Sequence, residues 1–175
     1  MLKLPSAEYT QRRQQLLAQL PVGAVVLIQA AASQIRNGDV EQDYRQNSNF
    51  QYLCGFLESD AVLVLSNHAT GPVSSVFCRS KDKLQEIWHG RRLGVEAAPG
   101  ALNIDQAFAI DSLAEKLLEL LDGASQMLYC FSREDTQQLV QHCLQQLRAL
   151  SRQGKQCPTY LADLDPLLDA MRLLK

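Results

Sequence analysis

The chain has 175 residues, 46% of them apolar, with 17 Lys and Arg against 19 Asp and Glu for a formal charge of -2. That length suits one domain with a proper core. The near balance of charge gives no electrostatic basis for binding nucleic acid or an anionic membrane. No apolar run approaches the roughly 20 residues that span a bilayer, and Met1-Leu2-Lys3-Leu4-Pro5 reaches proline before a secretory apolar segment forms. Five cysteines, Cys54, Cys78, Cys130, Cys143 and Cys157, are scattered without a CxxC pair. Reduced thiols and a cytoplasmic location are therefore expected, with Cys78 and Cys130 read as small core hydrophobes.

In chain order, Ser6 is placed to cap a helix running to about Leu20, with Glu8 in its first turn. Tyr9, Leu16, Leu17 and Leu20 face inward from it and Arg12 and Arg13 face water. Pro21 and Gly23 break the helix. Ala24-Val25-Val26-Leu27-Ile28 is continuous rather than alternating, as in a strand buried on both faces. Residues 36–56 mix amide, charged and aromatic side chains more densely than a plain loop or core strand needs. Within them Asn47 or Ser48 caps a short helix, Phe50 and Leu53 face inward, and Gly55 ends it. Asp43, Arg45, Gln46 and Asn47 offer donors and acceptors to pin the irregular connection before that helix.

Ala61 to Leu65 is a second continuous strand, and Gly71-Pro72 turns it into Val73 to Cys78 as a hairpin. Lys81 to Trp88 suits a short helix ended by Gly90. An extended piece is expected around Phe108 to Ile110. Asp111 or Ser112 then caps a helix through Leu121 that Asp122-Gly123 terminates. Met127 to Phe131 is the next strand, and Asp135 to Ser151 a long helix with Val140, Cys143, Leu144 and Leu147 on one side and glutamines outward. An extended piece near Cys157 to Leu161 precedes a helix opened by Asp165-Pro166. The alternation, with one inserted hairpin, predicts an α/β fold whose mixed β-sheet is flanked by helices on both faces.

Enzymatic constellations are sparse. His68, His89 and His142 stand apart, without an HExxH arrangement. Asp39, Glu41 and Asp43 form an acidic cluster, but Arg36 and Arg45 flank and neutralise it. No GxSxG, Walker or GxGxxG segment is present. Arg91 and Arg92 read as ion-pair or interface residues. Trp88, the single tryptophan, suits either a packing plug or an interface anchor. Arg152 follows the long helix, where a cation complements the dipole, and is also placed to reach a carboxylate of a peptide or a neighbouring subunit.

Tyr44-Arg45-Gln46-Asn47-Ser48-x-Phe50-x-Tyr52-Leu53-x-Gly55-Phe56 resembles a signature of the N-terminal domain of Xaa-Pro aminopeptidases (aminopeptidase P, of the creatinase and prolidase N-terminal type). Glu86-Ile87-Trp88-His89-Gly90-Arg91-Arg92-Leu93-Gly94 resembles a second, and Met171-Arg172-Leu173-Leu174-Lys175 resembles the hinge where that family's catalytic domain begins. The resemblance implies a ribonuclease-H-like mixed sheet over residues 1–165, with 166–175 opening the hinge. It also implies a pita-bread catalytic domain outside this chain, holding two Mn²⁺ with two Asp, one His and two Glu. A metal-bridging hydroxide would there remove the residue preceding proline. None of those ligands is placed in this chain, which on that basis is expected to hold no metal and to be inactive alone. Trp88, Arg152, Tyr44, Arg45 and Asn47 are the implied cleft or interface residues. The implied partners are the catalytic domains of the same and neighbouring subunits in a dimer or tetramer. A stand-alone, non-catalytic α/β binding or assembly domain stays open beside this. The final helix, stopping without a C-cap, favours the first.

Overall fold

The computed structural model describes residues 4–32, 35–37, 40–41 and 44–173, with all their side chains except those of residues 35–37, 40, 41, 88 and 89. The elements are α1 (Ser6–Leu17), β1 (Ala24–Gln29), β2 (Ile35–Asn37), β3 (Val40–Glu41), α2 (Ser48–Cys54), β4 (Val62–His68), β5 (Gly71–Cys78), α3 (Lys83–His89) and α4 (Ala98–Leu102). They continue with β6 (Gln106–Ala109), α5 (Leu113–Leu121), β7 (Gln126–Tyr129), α6 (Glu134–Ala149), β8 (Tyr160–Asp163) and α7 (Asp165–Leu173).

Six strands form one sheet in the order β6-β5-β4-β1-β7-β8, and β2 pairs with β3 apart from it. β4 is antiparallel to both β1 and β5, while β1 with β7, β7 with β8, and β5 with β6 are parallel. The sheet is therefore mixed, as expected from the inserted hairpin. β1 is buried along Ala24 to Ile28 because it lies between two cores. Val26, Ile28, Leu63 and Leu65 face one, shared with α1, α2, α4 and α7. Val25, Leu27, Val62 and Val64 face the other, shared with α5 and α6. No helix among the described residues is long and apolar enough to cross a membrane.

Several boundaries differ from the sequence reading. α1 starts at Ser6 itself, after Pro5, and no side chain caps it. Residues Ile110–Ser112 form a 3-10 turn, and Ser112 makes no side-chain cap bond to α5. β6 begins two residues before Phe108, and β8 comes later than Cys157–Leu161 because Pro158 cannot donate to a ladder.

The main correction concerns Arg12 and Arg13, which are 8% and 3% exposed rather than turned to water. Arg12 Nη1 donates to the Tyr52 carbonyl at 3.1 Å, while Nε and Nη2 hold Glu8 Oε1 at 3.1 and 2.9 Å. Its guanidinium stacks 4.4 Å from the Tyr52 ring centre. Arg13 Nη1 donates to the Leu53 carbonyl at 2.9 Å, and its Nη2 reaches Thr10 Oγ1 and the Asn103 carbonyl. Tyr52 and Leu53 belong to the last turn of α2, whose carbonyls carry its negative dipole end. Burial lowers the pKa of Arg13, with Cys54 and Asp105 opposing that shift.

Gly55 closes α2 in the left-handed region at φ 67°. A Cβ there would lie 2.4 Å from the Tyr9 ring of α1, so both backbone sign and space require glycine. Gly55→Ala is expected to cost at least about 2 kcal/mol, from the left-handed backbone and the forced repacking. Urea unfolding with unchanged m-value checks it.

Asp105 fastens β5 to β6: its Oδ2 accepts from Ser74 N and Ser74 Oγ, each at 2.7 Å. Desolvation pushes its carboxyl pKa up, but the two Ser74 bonds and Arg13 outweigh this and leave it below the ordinary 3.8. A depressed folded-state pKa gives stability that is present above the unfolded value and lost as pH falls through the folded one. The stability gap between the native chain and Asp105→Asn should therefore be full at neutral pH. It should close only as pH falls below the ordinary 3.8, as urea midpoints measured at neutral pH and in that acid range will show.

Candidate functional site at the carboxyl edge of the sheet

Because β4 alone runs against the others, β1, β5, β6, β7 and β8 all end at one edge. In open α/β sheets that edge is where connecting segments gather into sites. The segments here are 30–48, 55–61, 79–97, 130–134 and 163–165. Both sequence signatures lie among them.

Gln46 organises the first signature. It is 7% exposed, and its side chain fills all its hydrogen-bond capacity. Oε1 accepts from Ala31 N and Asn47 N, each at 2.8 Å, and Nε2 donates to the Phe56 and Glu58 carbonyls at 3.0 and 3.1 Å. Tyr44 lies beside it, with its hydroxyl donating to the Ala31 carbonyl at 2.9 Å and close to that of Glu58 at 3.3 Å. Burial raises the Tyr44 pKa, and the Asp60 carboxylate adds to that rise. Arg45 is exposed. Asn47 caps α2, its Oδ1 accepting from Asn49 N at 2.9 Å and Phe50 N at 3.0 Å.

Glu58, which the sequence reading passed over, joins the two signatures. Its carbonyl receives Gln46, and its Oε1 accepts from Leu93 N at 2.6 Å. Glu86 Oε1 accepts from Arg92 N at 2.8 Å, which folds the second signature back on α3. Arg79, following β5, stands 3.9 Å from Glu58 Oε2 and 3.6 Å from Asp60 Oδ2. Glu58 is one of two acids, with Asp60, between Phe56 and an apolar strand, and no spacing rule marks it.

On the other side of the edge, Arg133 binds Asp135 through two hydrogen bonds, Nε to Oδ1 at 3.1 Å and Nη2 to Oδ2 at 2.7 Å. That pairing raises the pKa of Arg133 and lowers that of Asp135. Asp165 Oδ2 accepts from Ser132 Oγ at 2.7 Å, and its Oδ1 from Asn49 Nδ2 at 3.3 Å. Burial, with Asp165 beside it, pushes the Cys130 thiol up to about 12. Every resolved shift at this edge thus reinforces the charge state each group already has near neutrality. None is tuned toward 7, as proton transfer at physiological pH would need. The edge holds backbone and presents side chains.

The structure brings Tyr44, Arg45 and Asn47 together. The Trp88 side chain lies outside the described residues, although its backbone belongs to α3 beside the same edge. The side chains of Arg36 and Glu41 and the whole of Asp39 and Asp43 also lie outside them. Arg152 is exposed in a 3-10 turn between α6 and β8, at the opposite edge of the sheet. Among the described residues, no three His, Cys, Asp or Glu side chains are grouped so as to hold a metal ion.

A mixed six-stranded sheet with helices on both faces, its two sequence signatures locked together at the carboxyl edge, defines an α/β domain of the aminopeptidase P N-terminal type. The family described as "Aminopeptidase P, N-terminal domain" matches residues 9–129, and the chain belongs to that family. It is 38% identical to Xaa-Pro aminopeptidase of Escherichia coli (strain K12), over 100% of this chain and 40% of that protein. It is 36% identical to the Haemophilus influenzae enzyme of the same name, over 74% of this chain and 30% of that protein. Among solved structures, E. coli aminopeptidase P with the inhibitor Pro-Leu superposes with a TM-score of 0.93 at 38% identity, covering 98% of this chain and 39% of that one. Proline aminopeptidase P II from Yersinia pestis also gives 0.93, at 40% identity, over 97% and 39%. The chain spans about 40% of the length of the E. coli relative.

Replacing Gln46 with Leu leaves two N–H groups and two carbonyls without their partner and is expected to cost about 2–4 kcal/mol, whereas Tyr44→Phe removes one half-exposed bond and should cost about 1 kcal/mol or less. Chemical denaturation of both variants checks the order and the size of the gap.

Proposed function

We propose that this chain is the N-terminal, non-catalytic domain of a Mn²⁺-dependent Xaa-Pro aminopeptidase, a metallopeptidase that releases the N-terminal residue from peptides whose second residue is proline. Supporting this above all is the end-to-end match to the E. coli Xaa-Pro aminopeptidase, of which the chain corresponds to 40%. The described residues offer no donor set that fits a metal pair, and no chemical step is assigned to them. In this reading two Mn²⁺ belong to the part of such an enzyme that this chain does not span, and a cytoplasmic location follows.

The domain's own work is positional. Tyr44, Arg45 and Asn47, with Trp88 from α3, wall the peptide cleft at the carboxyl edge. Arg152, at the far edge, meets an acidic group of a neighbouring subunit in a homo-oligomer. Gln46 and Glu58 hold the wall in place by satisfying its backbone groups.

The test is Mn²⁺-dependent hydrolysis of an Xaa-Pro peptide by this chain and by the full reading frame of its gene. Turnover is expected only from a longer product, in which Trp88→Ala should lower kcat/KM roughly tenfold, the effect of about 1.4 kcal/mol of lost contact. Metal-dependent turnover by the 175-residue chain itself would overturn the non-catalytic assignment.

A further inference from the structure

The two edges of the sheet are protected unequally. At β6, the Lys116 ammonium lies 5.8 Å from the Phe108 ring centre, which places a charge beside that edge in the usual manner of strand-edge protection. At β8 the described side chains leave the edge open. Tyr160 is 69% and Leu161 38% exposed, and no charged residue lies between Lys155 and Asp163. Leu164 N donates to the Tyr129 carbonyl, so backbone alternation turns the N–H and C=O groups of residues 160 and 162 toward β7. Those of Thr159, Leu161 and Asp163 then face outward, unpaired by the sheet.

We propose that this edge is a self-association surface, on which β8 of a second copy of the chain pairs antiparallel about a two-fold axis through Leu161. The proposal rests on the assembly part of the function proposed above and names its surface. The sequence of the edge is complementary to itself in that register. Leu161 opposes Leu161 of the second copy at the axis, an apolar pair whose outward backbone groups bond reciprocally. Tyr160 opposes Ala162, large against small on one face. Thr159 opposes Asp163, with the backbone groups of both facing outward; the Asp163 carboxylate already accepts from Phe131 N and Asp165 N through Oδ1, which leaves Oδ2 for the Thr159 hydroxyl of the second copy. A shift by one residue would set inward-turned backbone against outward-turned backbone, so the register is specific. The contact is short, and such an interface is at the weak end of the size range, which predicts a dimer that dissociates on dilution.

Light scattering coupled to size exclusion on the 175-residue chain tests this without reference to peptidase activity, so its failure is separable from failure of the aminopeptidase reading. The mass is expected to rise from 19.5 kDa toward twice that value with concentration. Leu161→Lys, which places two ammonium groups at the axis, should hold it at 19.5 kDa with an unchanged circular dichroism spectrum. Thr159→Lys faces Asp163 of the second copy and should shift dimer formation to lower concentration, whereas Thr159→Asp should shift it higher. That opposite response is one that misfolding does not produce. A native chain that stays monomeric at every concentration overturns the proposal. So does a dimer indifferent to all three substitutions, or one abolished instead by Leu84→Lys, which would move the interface to α3.

Discussion

Two guanidinium groups on one turn of α1 hold the last carbonyls of α2, and the carboxyl edge of the sheet depends on that contact. α2 is a 7-residue helix, too short to be stable by its own hydrogen bonds. Its far end is fixed by Arg12 and Arg13, its near end by the Asn47 cap, and its C-terminal turn by the fit of Gly55 under Tyr9. Asn49 then ties it to Asp165 and Arg172 of α7, the former at 3.3 Å and the latter at 3.0 Å. A buried arginine is costly to desolvate, and bonds to three carbonyls, the Glu8 carboxylate and the Thr10 hydroxyl are what make two in succession tolerable. The same coordination makes α1, α2 and α7 one layer rather than three separately packed helices.

From that layer the order extends to the site through backbone, not through charge. Gln46 ties Ala31, just after β1, and Asn47, just before α2, to Phe56 and Glu58 in the connection from α2 to β4, and Glu58 carries the fixation to residue 93. Several acids and bases at the edge are engaged with one another or with backbone, as Arg133 is with Asp135 and Glu86 with Arg92 N. Side chains held in this way lose little conformational entropy when the surface meets another molecule.

The parts legible in the sequence were those written in periodicity and in local stereochemistry. β1 and β4 announced burial on both faces by unbroken aliphatic runs, and the two cores on either side of them are the reason. Asn47 and Gly55 showed the ends of α2 through a capping amide and a left-handed closure. Arg12 and Arg13 misled because helical periodicity assigns charged positions to solvent, and nothing local reveals that another helix ends against them. Glu58 was invisible for a related reason: its partners Gln46 and Leu93 lie 12 and 35 residues away. The short helix α4 and the strand pair β2–β3 carry too few residues for a period to register.

The contrast between Arg13 and Asp105 shows how far the fold relies on pairing across sequence. The two groups perturb each other electrostatically, yet each is held by backbone or by a serine rather than by a direct salt bridge. Arg13 binds α1 to the end of α2 and to the turn before β6, and Asp105 binds that same turn to β5. Removing either charge would leave the other partly compensated by its neutral partners, so the turn at Asn103 should loosen before the sheet does. Asn103 closes α4 in the left-handed region at φ 50°, a conformation that asparagine tolerates. The sheet's amino edge is thus fastened by bonds between residues 31 to 93 positions apart, and the carboxyl edge by the bonds of Gln46 and Glu58, which span 1 to 35 positions.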